Sequence, residues 1–71
     1  MDNQKTGELI RALRKEKGYT QKQLAELLHI SPKTISKWET AAGYPDISLI
    51  AQLAQVLDTT GEQLLQGNTP K

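Results

Sequence analysis

Two helix-start signals stand close together in this chain, and they limit its possible folds more than any other feature. Thr20-Gln21-Lys22-Gln23 has the form of a capping box. The Thr hydroxyl can accept from the third helical N–H, and the Gln side chain can reach back to the cap. Ser31-Pro32 is a second start, with serine as N-cap and proline at the first helical position, where its missing N–H is no loss. The earlier helix must therefore end near His29, and only His29-Ile30-Ser31 joins it to the next. Helices linked so tightly cross at a steep angle, which is helix-turn-helix geometry. Leu24, Ala25, Leu27 and Leu28 make the apolar side of the earlier helix; Ile35 and Trp38 make an inward stripe on the later one. Ala25 sits where the two would touch, and its small side chain permits close approach. His29 falls at the turn, where positive φ is required and histidine is among the enriched residues.

Periodicity supplies three more helices. A leading helix is expected from about Thr6 to Lys17, with Leu9, Ile10 and Leu13 inward and Gly18 after its end. Pro45-Asp46 opens a fourth, with Ile47, Ile50, Leu53, Ala54 and Leu57 inward. Thr60-Gly61-Glu62-Gln63 repeats the capping-box pattern and starts a short fifth helix through Leu64-Leu65, one of which closes the core while the other is open to a subunit contact. No segment alternates with period two, so the expected class is all-α. Residues 1–5 read as an N-terminal arm, 6–66 as the folded domain and 67–71 as a frayed tail.

Composition narrows the function. The 71 residues form one small domain with little room for an enclosed active site. There is no cysteine and a single histidine, which removes disulfides, thiolate zinc sites and multi-histidine metal sites. No Gly-rich phosphate loop, nucleophile elbow or partner for His29 is present, so no enzymatic activity and no cofactor are expected. No apolar run nears the roughly 20 residues that span a bilayer, and no signal segment opens the chain, so a cytoplasmic protein is expected. The net charge is only +1, but it is unevenly spread. Residues 9–39 carry seven basic side chains against three acidic, net +4, whereas residues 40–71 are net −2. That split suggests one face for an anionic partner, against the duller reading of solvated lysines. Arg11, Lys15 and Lys17 are most simply a solvated helix face.

With these residues in view, the chain resembles the phage-repressor or Cro-type helix-turn-helix domain, the XRE family. The likeness is carried by Thr20-Gln21, Leu24-Ala25, Leu28 and Ile30-Ser31, then Ile35-Ser36-Lys37-Trp38-Glu39, Pro45-Asp46 and Glu62-x-Leu64-Leu65. It implies a compact five-helix, lambda-repressor-like fold whose third helix enters the DNA major groove. It implies that Lys33 and Lys37 face base edges with Pro32 and Ser36 beside them. Gln21 would bind phosphate, with Thr20 and Lys22 next to it, and Thr40 and Tyr44 would touch the backbone after the third helix. An ion pair between Arg14 and Glu39 is implied as well. The family usually has Gly two residues after the Glu, where this chain has Ala41. Alanine resists the left-handed conformation, so a reshaped turn is expected there.

The residues agree on one point independently. With Ile35 and Trp38 inward, Pro32, Lys33, Ser36 and Lys37 fall on the outer side, Lys33 and Lys37 as i, i+4 neighbours. Lysine can donate to guanine O6 and N7, although both lysines could instead touch only phosphates. The expected function is a sequence-specific regulator, a repressor acting as a homodimer on double-stranded operator DNA, without metal or membrane. The alternatives are a protein-interaction module or an antitoxin-type autoregulator on the same fold.

Overall fold

The computed structural model describes residues 3–66, and over them the chain forms five α-helices: α1 Asn3–Glu16, α2 Gln21–Leu28, α3 Pro32–Glu39, α4 Ile47–Leu57 and α5 Gly61–Gln66. The helix starts follow from the capping residues. Thr20 Oγ1 accepts from the Gln23 N–H at 3.0 Å, and Gln23 Oε1 accepts from the Thr20 N–H at 2.9 Å. The same reciprocal pair joins Thr60 and Gln63 at 3.1 and 3.4 Å. Ser31 Oγ accepts from the Lys33 N–H at 3.2 Å ahead of Pro32. Asp46 takes the N-cap position of α4 without a capping hydrogen bond from its side chain. The expected tail, 67–71, lies outside the described residues.

The first helix departs from expectation. It begins at Asn3, so residues 3–5 of the expected arm are helical. Thr6 lies inside the helix rather than at its start: it is buried, and its hydroxyl donates to the Leu64 carbonyl at 2.8 Å, tying α1 to α5. Polar residues ahead of the first apolar position gave no periodic signal for that extra turn.

Four helix ends share one device, in which a residue with left-handed φ lets the chain reverse and donate to the last carbonyls. Gly18 holds φ +79° after α1, His29 58° after α2, Ala41 63° after α3 and Asp58 60° after α4. After α3, the Ala41 N–H donates to the Trp38 carbonyl at 3.2 Å and the Ala42 N–H to the Lys37 carbonyl at 2.9 Å. This corrects the expectation of a reshaped turn. Ala41 adopts the conformation that glycine would have taken, because the hydrogen bonds at the end of α3 outweigh a steric cost of roughly 1–2 kcal/mol.

The core gathers Leu9, Ile10, Leu13, Leu24, Ala25, Leu28, Ile35, Trp38, Ile50, Leu53, Ala54, Leu57 and Leu64. Leu65 is half-buried beside it. α1 packs on α3, α4 and α5, whereas α3 packs on α1 and α2 and keeps its far side open. Gly7 makes the α1–α3 contact possible: a Cβ there would lie 2.1 Å from the Trp38 carbonyl oxygen. Two expected core residues lie outside. Ile47 is 79% exposed, because the first turn of α4 extends past the packed helices, and the inward stripe starts at Ile50. Leu27 is 49% exposed, on a flank that Leu24, Ala25 and Leu28 leave turned toward solvent.

Two substitutions test these backbone constraints. Gly7→Ala is expected to destabilise by about 1–3 kcal/mol through overpacking, although alanine is the better helix former. An unchanged thermal midpoint would refute the close approach of α1 to α3. Ala41→Gly is expected to stabilise by about 0.5–1 kcal/mol, the relief of left-handed strain less the extra flexibility of unfolded glycine. That corresponds to a rise of a few degrees in Tm for a domain of this size, and a fall would contradict it.

Candidate nucleic-acid interface

α3 is built to present its outer side. Ile35 and Trp38 are sunk into the core, so the residues between them and before them must point away. Pro32, Lys33 and Lys37 are exposed and Ser36 is half-buried. The C-terminal end of α3 is firmly tied. The Lys37 carbonyl accepts from the Ala42 and Gly43 N–H groups at 2.9 and 3.1 Å, and the Thr40 hydroxyl donates back to the Ser36 carbonyl at 2.9 Å. Gly43 lies against the stem of Lys37, where an added Cβ would sit 3.3 Å from the Lys37 Cβ. The exposed row is therefore carried on a rigid helix rather than on a loop.

The start of α2 lies beside the end of α3, joined by a network of charged hydrogen bonds. Arg14 Nε donates to Glu39 Oε2 at 2.6 Å, and Arg14 Nη2 to Glu39 Oε1 at 3.1 Å. Arg14 Nη1 donates to the Tyr19 carbonyl at 2.8 Å. The Arg14 and Glu39 side chains are only 10% and 4% exposed. Gln21 Nε2 also donates to Glu39 Oε1, at 3.1 Å. The structure thus brings Arg14, Glu39 and Gln21 to one point. The resemblance implied the Arg14–Glu39 pair, which is formed, and named Gln21 apart from it; nothing in the sequence said that Gln21 meets Glu39, since contacts between distant segments leave no periodic trace. Thr20 and Lys22 are exposed on either side of Gln21.

Tyr44 is placed differently from the expected backbone contact. Its hydroxyl is enclosed and has no hydrogen-bond partner among the described residues. Burial pushes the phenol pKa up from its ordinary value, because the charged form is the one that loses water. An enclosed O–H cannot reach a phosphate outside, so a contact through this hydroxyl is not available in this conformation. Thr40 stays exposed, with its hydroxyl already committed to capping α3.

Fold and surface together define a helix-turn-helix domain that offers the second helix of its motif to the outside. The chain belongs to the helix-turn-helix family, in its phage-repressor or XRE-type branch, and the family's sequence profile matches residues 10–64. It is 40% identical over 60 residues to the transcriptional activator BcrR of Enterococcus faecalis, covering 84% of this chain but 29% of that protein. Among solved structures it is similar to the P22 c2 repressor in complex with a synthetic operator, at 32% identity and a TM-score of 0.84. That match covers 89% of this chain and 96% of the other. The biofilm master regulator SinR, solved in complex with DNA, matches at 33% identity and a TM-score of 0.77, covering 84% and 97% of the two chains. The fold is accordingly the five-helix, lambda-repressor-like one.

The buried pair generates a stability expectation. Removing one partner leaves the other charge uncompensated in a nearly dry place, at a cost of about 3–5 kcal/mol. Arg14→Ala and Glu39→Ala should each lower the thermal midpoint by ten degrees or more. Midpoints within a degree or two of wild type would show instead an exposed-type pair worth about 0–1 kcal/mol.

Proposed function

We infer that this chain is a sequence-specific, double-stranded DNA-binding transcriptional regulator, a repressor that sets α3 in the major groove. The observation that carries this is the row of Pro32, Lys33, Ser36 and Lys37 on the outer side of a helix anchored by Ile35 and Trp38. No acidic side chain interrupts that row. The start of α2 adds donors: the first N–H groups of a helix have no intrahelical acceptor, and the dipole there favours anions. Gln21, Thr20 and Lys22 belong to that phosphate-binding edge, and Thr40 adjoins it at the end of α3. The likeness to two regulators solved on DNA supports the reading.

The regulator acts as a homodimer on two-fold-related half-sites about one helical turn apart, roughly 10 base pairs centre to centre. It performs no catalysis and works in the cytoplasm; among the described residues no helix is long and apolar enough to cross a membrane. Residues 6–66 are the DNA-binding unit. Selection of binding sites from a random duplex pool tests the whole reading. The expected result is a two-fold consensus whose affinity falls with salt at a log–log slope of about −0.9 per phosphate neutralised. Absence of binding to any duplex at low salt would make the fold a protein-interaction module instead.

Reading and holding are separable. Lys37→Ala is expected to cost about 1–3 kcal/mol on the preferred site and to flatten one base position per half-site, a guanine. Gln21→Ala is expected to weaken all sequences about equally and leave the consensus unchanged. Site selection with each variant checks both. An unchanged consensus with uniformly weaker binding for Lys37→Ala would make Lys37 a phosphate anchor and overturn the orientation given to α3.

A further inference from the structure

We propose that Glu39 is a positioning residue for Gln21: the Arg14–Glu39 pair sets which way the Gln21 amide faces and so aims its second N–H at the DNA backbone. The proposal rests on the DNA-binding reading above and goes beyond it in giving the buried pair a part in recognition.

The geometry carries the argument. Glu39 Oε1 lies 3.1 Å from Gln21 Nε2. An ionised carboxylate can only accept hydrogen bonds, so the end of the amide that meets it must be the NH2. The orientation of the amide is therefore dictated by chemistry. One of the two Nε2 hydrogens is spent on Glu39, and the other is directed away from it in the amide plane. Gln21 is the first residue of α2 and is half-buried, so its amide lies at the rim of the surface where the first backbone N–H groups of α2 emerge. A phosphate oxygen there would meet the remaining Nε2–H together with those N–H groups.

Arg14 makes the arrangement compatible with an anion. Glu39 Oε1 accepts from Arg14 Nη2 and Oε2 from Arg14 Nε, which compensates the carboxylate charge. An unpaired carboxylate next to a phosphate would repel it. Arg14 Nη1 on the Tyr19 carbonyl also fixes the loop leading into α2. One network thus registers the phosphate-binding edge at the start of α2 against the end of the base-reading helix.

Glu39→Gln separates positioning from charge. A carboxamide has one accepting oxygen, and its NH2 would confront a donor on either Arg14 or Gln21, so the network cannot survive intact. Coulomb's law alone predicts tighter DNA binding, because a negative charge leaves the interface. Positioning predicts the opposite. Duplex affinity of the folded protein, read by fluorescence anisotropy at low temperature, should fall by roughly three- to tenfold on all sequences, the worth of about one hydrogen bond. In the Gln21→Ala background, Glu39→Gln should cause a clearly smaller loss than it does in the wild-type background. Unchanged or tighter binding by Glu39→Gln, or losses that simply multiply in the double variant, would overturn the proposal while leaving the DNA-binding reading intact. Failure of the wild-type protein to bind any duplex would remove both.

Should Glu39→Gln not fold, wild type gives the answer by NMR. One Gln21 side-chain amide proton should lie well downfield of the range of exposed glutamines in the free protein, and duplex DNA should shift the other. Both protons within the range of exposed glutamines, or a Gln21 amide that duplex DNA leaves unmoved, would overturn it.

Discussion

A hydrogen-bonded charge pair between helices far apart in sequence is the constraint on which the arrangement of α1, α2 and α3 depends. Burying an ion pair is not a cheap source of stability; desolvating each charge costs several kcal/mol, and the attraction between them recovers it only when the geometry is good and the remaining donors are satisfied. Arg14 meets those conditions with Nε and Nη2 on Glu39 and Nη1 on the Tyr19 carbonyl. What the pair provides beyond energy is register. α1, the loop after it, the first residue of α2 and the last residue of α3 all close on one point. A hydrophobic core accepts small slides; a forked guanidinium on a carboxylate does not.

The apolar packing works to the same end. Gly7 lets α1 run against the carbonyl of Trp38, so the final turn of α3 is clamped by backbone contact as well as by the Arg14 side chain. The Thr6 hydroxyl pins the same helix to α5. α1 thereby serves as the spine: α3 is fixed from behind along its inward stripe, and its outer side is left for a partner. Carrying the exposed row of Pro32, Lys33 and Lys37 on a helix held in this way limits its motion.

The sequence made local chemistry legible and long-range geometry much less so. Thr20, Gln23, Ser31, Pro32, Thr60 and Gln63 announce helix starts because a cap is decided within four residues. His29 announced its own left-handed turn. Ile47 and Leu27 were misread because helical spacing marks a face and does not say how far the neighbouring elements extend over it. Ala41 was misread because conformational preference was weighed alone, without the hydrogen bonds that hold the turn. For Tyr44 the resemblance implied a backbone contact and said nothing of its hydroxyl, which the fold encloses. Gly7 gave no signal, since one glycine in a helical stretch reads as a weakness until the opposing carbonyl is known. At the interface, the outer row of α3 could be read from Ile35 and Trp38 alone. The meeting of Gln21 with Glu39 could not.

Net charge is the wrong measure for this surface. At +1 the chain looks poorly suited to a polyanion. Yet α3 carries two exposed lysines, and its single acidic residue is Glu39, whose carboxylate is withdrawn and held by Arg14. Nearby, Lys22 stands exposed at the start of α2, while the acid of that helix, Glu26, lies toward its other end, close to Leu27. The three acids of residues 40–71 belong to the segment after α3. The exposed charged side chains of α3 and of the first turn of α2 are therefore positive, whatever the sum over the molecule. The ion pair that fixes the geometry of this face is also what removes negative charge from it. That is why an acidic residue at the end of the presented helix is compatible with an anionic partner.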